Sequence, residues 1–392
     1  MLPLEGITIV SLEQAVAAPY ATRQLADLGA RVIKIERPGV GDFARGYDET
    51  VRGMASHFVW LNRSKESFTL DLKHPEAGLI VLQLLEEADV FIQNLAPGAA
   101  ERLGLGPEEL VQRYPHLIVC AISGYGTSGP YRDKKAYDLL VQCETGLVSV
   151  TGTPETPAKV GISIADIAAG MYAFTGILTA LYQRERTGKG TMFEVSMFEA
   201  LGEWMGYPAY FAAYGGTPPP RNGASHATIA PYGPFQAGDG KQVNLGLQNE
   251  REWALFCSVV LKQPEVAADP RFDSNARRVA NREALHAMID AVFSQLTIDQ
   301  VIARLDQAQI ANAHMNSMQE FWEHPQLQAR ERWREVDSPV GRLQALLPPV
   351  TMRNVEPRMD PIPALGEQTE QILRSLGYQD EQIGRLRAER VI

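Results

Sequence analysis

Residues 7–36 read "ITIVSLEQAVAAPYATRQLADLGARVIKIE", and this stretch decides the fold class. A β-branched run, "ITIVSLE", is followed by a helix-forming segment that ends at Gly29 and by a second strand-forming run, "RVIKIE". Pro38 and Gly39 close the second run. A strand, a helix and a strand in immediate succession predict a βαβ unit, in which the two strands lie parallel in one sheet.

The same alternation continues through the first third of the chain, with "SFTLDL", "HPEAGLIVLQLLEEA", "DVFIQN", "PEELVQRYP" and "LIVCAIS". It predicts an α/β fold, with a Rossmann-like parallel sheet covered by helices on both faces. Ligands of such sheets bind beyond the carboxyl ends of the strands. The loops after Glu36, Leu72, Asn94 and Ser123 are therefore the expected binding loops.

The composition changes after Glu199, where "YGGTPPPRNGASHATIAPYGPF" is rich in glycine and proline. Such stretches are typical of linkers and turns. We expect a large Rossmann-like domain over 1–205, a linker over 206–234, a smaller inserted α+β domain over 235–320, and a return segment over 321–392 that completes the large domain.

Bulk composition limits the possible partners. The formal net charge of -10 over 392 residues argues against a nucleic-acid binder. Cys120, Cys143 and Cys257 lie far apart, which fits a reducing cytoplasm and predicts no metal site. The chain starts without a basic, apolar leader, and the apolar run 167–181 is too short to span a bilayer. We expect a cytoplasmic protein without a membrane partner.

The glycine loop 124–129, "GYGTSG", matches a dinucleotide-binding pattern after a predicted strand. However, Pro130 and the polar "YRDKKAYD" follow, where that fingerprint requires the start of a helix. The pattern therefore favours a glycine loop over a different ligand, rather than a nicotinamide site.

Asp166 is a lone carboxylate in a run that is otherwise apolar or small from Gly161 to Tyr182. One interpretation is structural: Ser163 and Asp166 have the spacing of a capping box at a helix start. The other is catalytic: a helix N-terminus keeps a carboxylate ionised, and an ionised carboxylate in an apolar pocket can attack an activated acyl group. The residues alone do not decide between the two.

Six motifs occur in the order of a known family, namely "PLEGITIVSLEQAVAAPYATRQLADLGARVIKIERPGVGD", "NRSKESFTLDLKHPEA", "ADVFIQNLAPGAAERLGL", "ISGYGTSGPYRDKKAYDLLVQCETGL", "GISIADIAAGMYAFTGILTALYQRERTGKG" and "GEQTEQILRSLGYQDEQI". Nearly end to end, the chain resembles the class III CoA-transferases. In that family the aspartate of the "ADxxAG" segment is the nucleophile, and it matches Asp166. The resemblance implies an interlocked homodimer and a covalent route through an aspartyl anhydride and an aspartyl thioester. A CoA thioester is then a substrate, and no tightly bound cofactor is expected.

The resemblance also implies a CoA-binding set. The residues that match CoA-binding positions of formyl-CoA transferase are Ala15, Arg37, Leu70, Lys73, Asn94, Leu95, Arg102, Lys135, Tyr137 and Met197.

Two departures concern the substrate. Val16 stands where formyl-CoA transferase has an active-site glutamine, and its tetraglycine loop has no counterpart in 215–240. The chain is more similar to the branch that includes enzymes using succinyl-CoA and C4 or C5 dicarboxylic acids. We therefore expect a short acyl-CoA donor, such as succinyl-CoA, and a dicarboxylate acceptor gripped by Arg45 or Arg52 of the loop 40–56.

Two alternatives remain open. Related α-methylacyl-CoA racemases carry a histidine base where this chain has Tyr137, and tyrosine is a poor base at neutral pH. A CoA-binding protein without turnover is the second alternative, and the intact Asp166 argues against it.

Overall fold

The computed structural model describes all 392 residues, which form two compact units. The sheet unit comprises Met1–Thr145, Val160–Met205 and Leu327–Ile392, and the small unit comprises Gly146–Lys159 and Gly206–Gln326. These limits differ from the expected domains at two places. Residues 146–159 belong to the small unit, and so does the segment 206–234, which was expected to be a linker and begins with a helix.

The strands are short, between three and six residues each. They are β1 (Thr8–Leu12), β2 (Arg31–Glu36), β3 (Lys65–Thr69), β4 (Val90–Gln93), β5 (Ile118–Ser123), β6 (Met192–Ser196), β7 (Tyr232–Gln236), β8 (Gln242–Gly246), β9 (Ala311–Ala313), β10 (Trp333–Val336) and β11 (Leu343–Leu346).

The helices vary from single turns to one long helix of 24 residues. They are α1 (Ala17–Asp27), α2 (Ser56–Leu61), α3 (Pro75–Glu86), α4 (Ala99–Arg102), α5 (Pro107–Arg113), α6 (Asp138–Glu144), α7 (Leu147–Val150), α8 (Ile164–Thr187), α9 (Met197–Trp204), α10 (Gly206–Gly215), α11 (Glu250–Leu255), α12 (Asn275–Ala280), α13 (Arg282–Phe293), α14 (Ile298–Gln307), α15 (Met318–Trp322), α16 (Pro325–Ala329), α17 (Thr369–Ser375) and α18 (Asp380–Ala388).

The main sheet of the sheet unit has six parallel strands in the order β3-β2-β1-β4-β5-β6. This is the strand order of doubly wound sheets, whose ligands bind at the carboxyl ends of the strands. The expected α/β class with a parallel sheet is confirmed. Strand β6 was not anticipated, because it lies at the edge, where Met192 and Glu194 are exposed and break the apolar run typical of a central strand.

One face of this sheet carries an extensive apolar core. Side chains of the central strands, such as Phe91, pack there with Ile80 of α3 and Leu110 of α5. The C-terminal helices α17 and α18 add Ile372 and Leu386 to the same core. The end of the chain therefore completes the core that its first third begins.

The other face of the sheet is covered by α1 and α8, which touch closely at Gly170. A Cβ atom at this position would lie 2.6 Å from the carbonyl oxygen of Ala17, so only glycine permits the approach.

The helix α8 is longer than the apolar run 167–181, and by length and hydropathy it could cross a membrane. However, 39% of its most apolar window is buried within the protein, and Arg184 near its end pairs with Asp89 at 2.7 Å.

The small unit has its own three-stranded antiparallel sheet in the order β7-β8-β9. Its helices surround a separate core that includes Trp253, Phe256, Phe272 and Phe293. In the sheet unit, the hairpin β10-β11 contributes Val336 to a small cluster around Phe58.

Candidate active site

Asp166 is the third residue of α8 and is partly buried. The capping-box interpretation is wrong, because the Ser163 side chain makes no capping hydrogen bond. The Asp166 carboxylate itself has no hydrogen-bond or ion-pair partner. Burial, and next the negative charge of Asp138, raise its pKa from the usual 3.8 to about 7. This upward direction of the pKa is opposite to the one expected from a helix start.

The hydrogen bonding at the start of α8 that a capping box would provide is made instead by Asp138, the first residue of α6. Its Oδ1 atom accepts a hydrogen bond from the backbone N–H of Ala165, at 2.8 Å. Its Oδ2 atom accepts one from the side chain of the fully buried Gln142, at 2.7 Å. Asp138 thus satisfies an N–H group of the first turn of α8 and leaves the Asp166 carboxylate free for chemistry.

Two tyrosines face the same space as Asp166. Tyr47 follows a short 3-10 turn, Phe43–Gly46, and its ring lies edge-on to the ring of His57, with centroids 5.6 Å apart. Burial, and then the charges of Asp42, Asp166 and Tyr137, raise the pKa of Tyr47. Tyr137 directly precedes α6 and is 71% exposed. Tyr47 thus lies near both Asp166 and Tyr137, and its phenol group can donate a hydrogen bond to a molecule bound there.

The sequence did not single out Tyr47, His57 or Asp138. Tyr47 lies within the loop 40–56, in which the sequence predicts only the arginines as substrate contacts. Asp138 could have been found from its place directly before the apolar "LLVQ" run, which marks a helix start. His57 has a buried Nδ1 atom with no hydrogen-bond partner.

The structure places the two predicted acceptor arginines in different surroundings. The Arg45 guanidinium forms a two-bond pair with Glu36, at 2.8 Å from each carboxylate oxygen, and stacks on Phe58 at 3.8 Å from the ring centroid. The two N–H groups with which Arg45 could bind a substrate carboxylate are therefore already bonded to Glu36. Arg52 is exposed and donates to the backbone oxygen of Arg342, at 3.2 Å.

The loop between β1 and α1 carries Ala15 and Val16. Here Asn94, which follows β4, makes two hydrogen bonds with the backbone of Gln14, one at 2.8 Å and one at 2.9 Å. This predicted CoA-binding residue thus fixes the first loop with its side chain.

The other predicted CoA-binding residues also follow strands of the parallel sheet, and their strands all end at one edge. Arg37 follows β2 and lies over the ring of Phe43, whereas Leu70 after β3 is fully buried in the core. Leu95 after β4 is partly buried, and Met197 after β6 is buried. The exposed members of the set are Arg37, Lys73 after β3, Arg102 on α4, and Lys135 and Tyr137 in the segment between β5 and α6.

A surface groove of about 650 Å³ does not contain Asp166. It lies between the outer side of α8, the strand β6 and the helix α9, and Tyr172, Phe193 and Glu203 are among its lining residues. No group of three or more histidine, cysteine, aspartate or glutamate side chains is placed to hold a metal ion.

Comparison with known proteins places this arrangement in a family. The family model described as "CoA-transferase family III" matches residues 4–369. The succinyl-CoA:glutarate CoA-transferase of Homo sapiens is 32% identical over 396 residues, which cover all of this chain and 90% of that protein. The acetyl-CoA:oxalate CoA-transferase of Acetobacter aceti is 39% identical over 295 residues, which cover 75% of each chain.

A solved structure shares the fold. The CAIB/BAIF family protein from Brucella suis is 33% identical, with a TM-score of 0.83, over 96% of this chain and 99% of that one. The resemblance inferred from the motifs is thereby confirmed, and the chain belongs to CoA-transferase family III.

Proposed function

We propose that this enzyme transfers CoA from succinyl-CoA to a C4 or C5 dicarboxylate through covalent intermediates on Asp166. One observation carries the proposal: Asp166 is a partly buried carboxylate without a partner, and its pKa lies at about 7. An ionisable group tuned to the working pH and left free of structural bonds is typical of a catalytic residue. The names of the relatives support the donor and acceptor classes.

The proposed reaction begins with attack of an Asp166 carboxylate oxygen on the thioester carbonyl of the donor. The carbon–sulfur bond breaks, giving a mixed anhydride and a CoA thiolate. The thiolate then attacks the aspartyl carbonyl, which forms an aspartyl thioester and releases the donor acid. These steps exchange one activated acyl bond for another, so the reaction balances without an external energy source.

The second half reverses this sequence with the acceptor acid. Its carboxylate attacks the aspartyl thioester, forming a new mixed anhydride and releasing the thiolate again. Attack of the thiolate on the acceptor carbonyl yields the new CoA thioester and regenerates the Asp166 carboxylate. The enzyme needs an acyl-CoA and a small acid as partners, and it needs no tightly bound cofactor.

The CoA moiety is proposed to lie along the carboxyl edge of the sheet. Ala15, Arg37, Leu70, Asn94, Leu95 and Met197 lie there after their strands, and Lys73, Arg102, Lys135 and Tyr137 lie on the adjoining segments. Basic side chains such as Arg37 can hold the phosphates of CoA, and the partly buried Leu95 can contact its adenine or pantetheine part. Leu70 is fully buried, so it can only support this edge from within the core.

For the acceptor, the free hydroxyl groups of Tyr47 and Tyr137 are better placed than Arg45, whose guanidinium already binds Glu36. Either phenol can donate a hydrogen bond to a carboxylate near Asp166. Arg52 remains a candidate for the far carboxylate of a dicarboxylate.

We further propose that the enzyme is a cytoplasmic interlocked homodimer, in which the small unit is an inserted domain. The groove beside α8 supports a partner subunit, because α8 is apolar yet less than half of its most apolar window is buried by its own chain. Exposed apolar surface of this kind usually marks an interface. A second subunit accounts for the exposed face of α8 better than a membrane does. The mass in solution, measured by light scattering, tests this part.

The substrates are tested by incubating the enzyme with a panel of acyl-CoA donors and acids, and by measuring the new CoA thioesters by mass spectrometry. Succinyl-CoA with a C4 or C5 dicarboxylate should give the highest kcat/KM. Preference for acetyl-CoA with oxalate, the substrates in the name of the Acetobacter relative, would contradict the substrate assignment and leave the CoA-transferase activity intact.

A further inference from the structure

The loop between β1 and α1 has a strained backbone at Ala15. This residue has φ 64°, which is the left-handed region that residues other than glycine rarely adopt. Such a conformation is strained and persists only where its surroundings impose it. Here the backbone N–H of Ala15 donates a hydrogen bond to the Oδ1 atom of Asp42, at 2.9 Å.

Asp42 is 1% exposed, and the hydrogen bonds around it fix its carboxylate from several sides. Its Oδ2 atom accepts from the ammonium group of Lys34, at 2.6 Å. Its Oδ1 atom also accepts from the N–H of Ala44, at 2.9 Å, and its own N–H donates to Glu36, at 3.0 Å. Every oxygen of the carboxylate therefore faces donors.

Lys34 is fully buried and joins this carboxylate to a second one, since its ammonium group also contacts Glu13 at 3.3 Å. Lys65 completes the group with a bond of 2.7 Å to Glu13. Burial alone would lower the pKa of Lys34, but Glu13, Asp42 and Glu36 outweigh it and raise the pKa, so Lys34 is charged. Buried ion pairs are a costly way to stabilise a fold, and a positional role is the better-attested reason for keeping them.

This buried ionic group lies beside the candidate nucleophile. Helix α1 begins at Ala17, directly after the strained loop, and the carbonyl oxygen of Ala17 touches Gly170, one turn beyond Asp166 on α8. The charges of Asp42 and Asp166 also both act on Tyr47. The loop of Ala15 and Val16 thus connects the ionic group, through the bond from Ala15 to Asp42, with the start of α1, which contacts α8 at Gly170.

We propose that Asp42 and Lys34 are positioning residues, which lock the backbone of Ala15 and thereby align a bound thioester for attack by Asp166. Neither side chain touches the substrate. This inference rests on the proposed function, since it assumes that Ala15 contacts the CoA thioester. A misplacement of about 1 Å can slow a reaction by on the order of a hundredfold, so a loop that drifts should slow the covalent step.

The test compares Asp42→Asn with Asp27→Asn. Asp27 is also 1% exposed, and both its oxygens accept from arginines, with Arg23 at 2.6 Å and Arg63 at 2.8 Å and 2.9 Å. It lies at the far end of α1. In both variants one oxygen becomes an NH₂ group that faces a donor, so both should lose a comparable amount of thermal stability.

The measurement is the single-turnover rate of adduct formation on Asp166 with succinyl-CoA and no acceptor, followed by mass spectrometry. We expect Asp42→Asn to be roughly ten- to a hundredfold slower than Asp27→Asn at equal folded fraction. Equal rates in the two variants would overturn the inference and leave the proposed function standing. If neither the wild type nor Asp27→Asn formed an adduct, the proposed function would fail and the inference with it.

A second variant covers the case in which Asp42→Asn does not fold. Ala15→Val leaves every buried charge in place, but a β-branched residue strongly disfavours φ near 64°. The loop should leave its position, and the covalent step should slow by roughly tenfold or more. A wild-type rate of adduct formation in Ala15→Val would show that the strained conformation does not matter, and would overturn the inference.

Discussion

Asp138 and Asp166 lie close enough for the charge of Asp138 to add to the effect of burial and raise the pKa of Asp166 to about 7. Asp138 also binds the N–H of Ala165 at the start of α8. Asp138 thus stabilises this helix start through its hydrogen bond. Its charge also makes the Asp166 carboxylate a stronger base and nucleophile. This division of roles leads to the first two predictions.

Asp166→Asn should abolish transfer and stabilise the protein above pH 7. Since the folded state holds the Asp166 proton up to about pH 7 and the unfolded state loses it near pH 4, stability falls as pH rises through this window. A neutral asparagine removes that cost, which should raise the free energy of unfolding at pH 8 by about 1–3 kcal/mol. Urea unfolding at pH 8 and at pH 4 provides the measurement, and the gain should vanish at pH 4.

Asp138→Asn should move the pH dependence of the covalent step to lower pH. The wild-type rate of adduct formation should rise with an apparent pKa of about 7, because only the ionised Asp166 attacks. An asparagine at position 138 keeps an oxygen for the N–H of Ala165 but removes the charge that disfavours ionisation. A pH profile of the single-turnover rate that stayed unchanged, or moved upward, would contradict this arrangement of charges.

Arg45→Met and Arg52→Met should not change the preference for a dicarboxylate in the same way. Arg45→Met leaves Glu36 buried without its partner, which should lower the free energy of unfolding by about 3–5 kcal/mol. Its kcat/KM should fall equally for a dicarboxylate and for a monocarboxylate of similar length. If Arg52 binds the far carboxylate, Arg52→Met should lose roughly tenfold or more with the dicarboxylate only. Equal losses for both acids would exclude Arg52 as well.

Tyr47→Phe should weaken the acceptor step without destabilising the fold. The Tyr47 side chain is 51% exposed and borders Asp166, so loss of its hydroxyl group removes one hydrogen bond to a bound acid and no packing. We expect kcat/KM for the acceptor to fall by roughly three- to thirtyfold, while adduct formation from the donor alone stays fast. Tyr378→Phe is the control, since its hydroxyl binds Gln83. A loss of the same size in the control would make the effect of Tyr47→Phe unspecific.

The sheet was predictable because central strands that are buried on both faces appear as apolar runs such as "LIVCAIS". The strand β6 was not predicted, because an edge strand contains polar and exposed residues, here Glu194, and its sequence pattern therefore resembles that of a loop. The helix α10 was hidden for a different reason: the glycine- and proline-rich stretch that follows it made the whole of 206–234 resemble a linker.

The candidate site was predictable at Asp166, because a motif of neighbouring residues identifies it. The state of that residue was not, since it depends on Asp138, 28 positions earlier in the chain. The pairing of Arg45 with Glu36 is similar: both residues were visible, but only the turn after β2 brings them together. Contacts of this kind arise from tertiary packing, and local sequence patterns do not predict them.

The last prediction concerns the covalent intermediate itself. Incubation with succinyl-CoA and no acceptor should leave an adduct on the peptide that contains Asp166, and hydroxylamine should release it. The cysteines are the competing nucleophiles, because thiols readily accept acyl groups from thioesters. Burial raises the pKa of Cys120 far above its ordinary range, and that of Cys257 to about 12, so neither forms a thiolate at neutral pH. Only Cys143 is exposed.

Cys143→Ser therefore provides the control for this experiment. The variant should form the Asp166 adduct at the wild-type rate, whereas Asp166→Asn should form none. The adduct should also disappear when a dicarboxylate is added, at a rate no slower than kcat, because an intermediate on the reaction path must be consumed as fast as product appears. An adduct that persists in the presence of the acceptor, or one that is lost in Cys143→Ser, would rule out Asp166 as the carrier of the acyl group and of CoA.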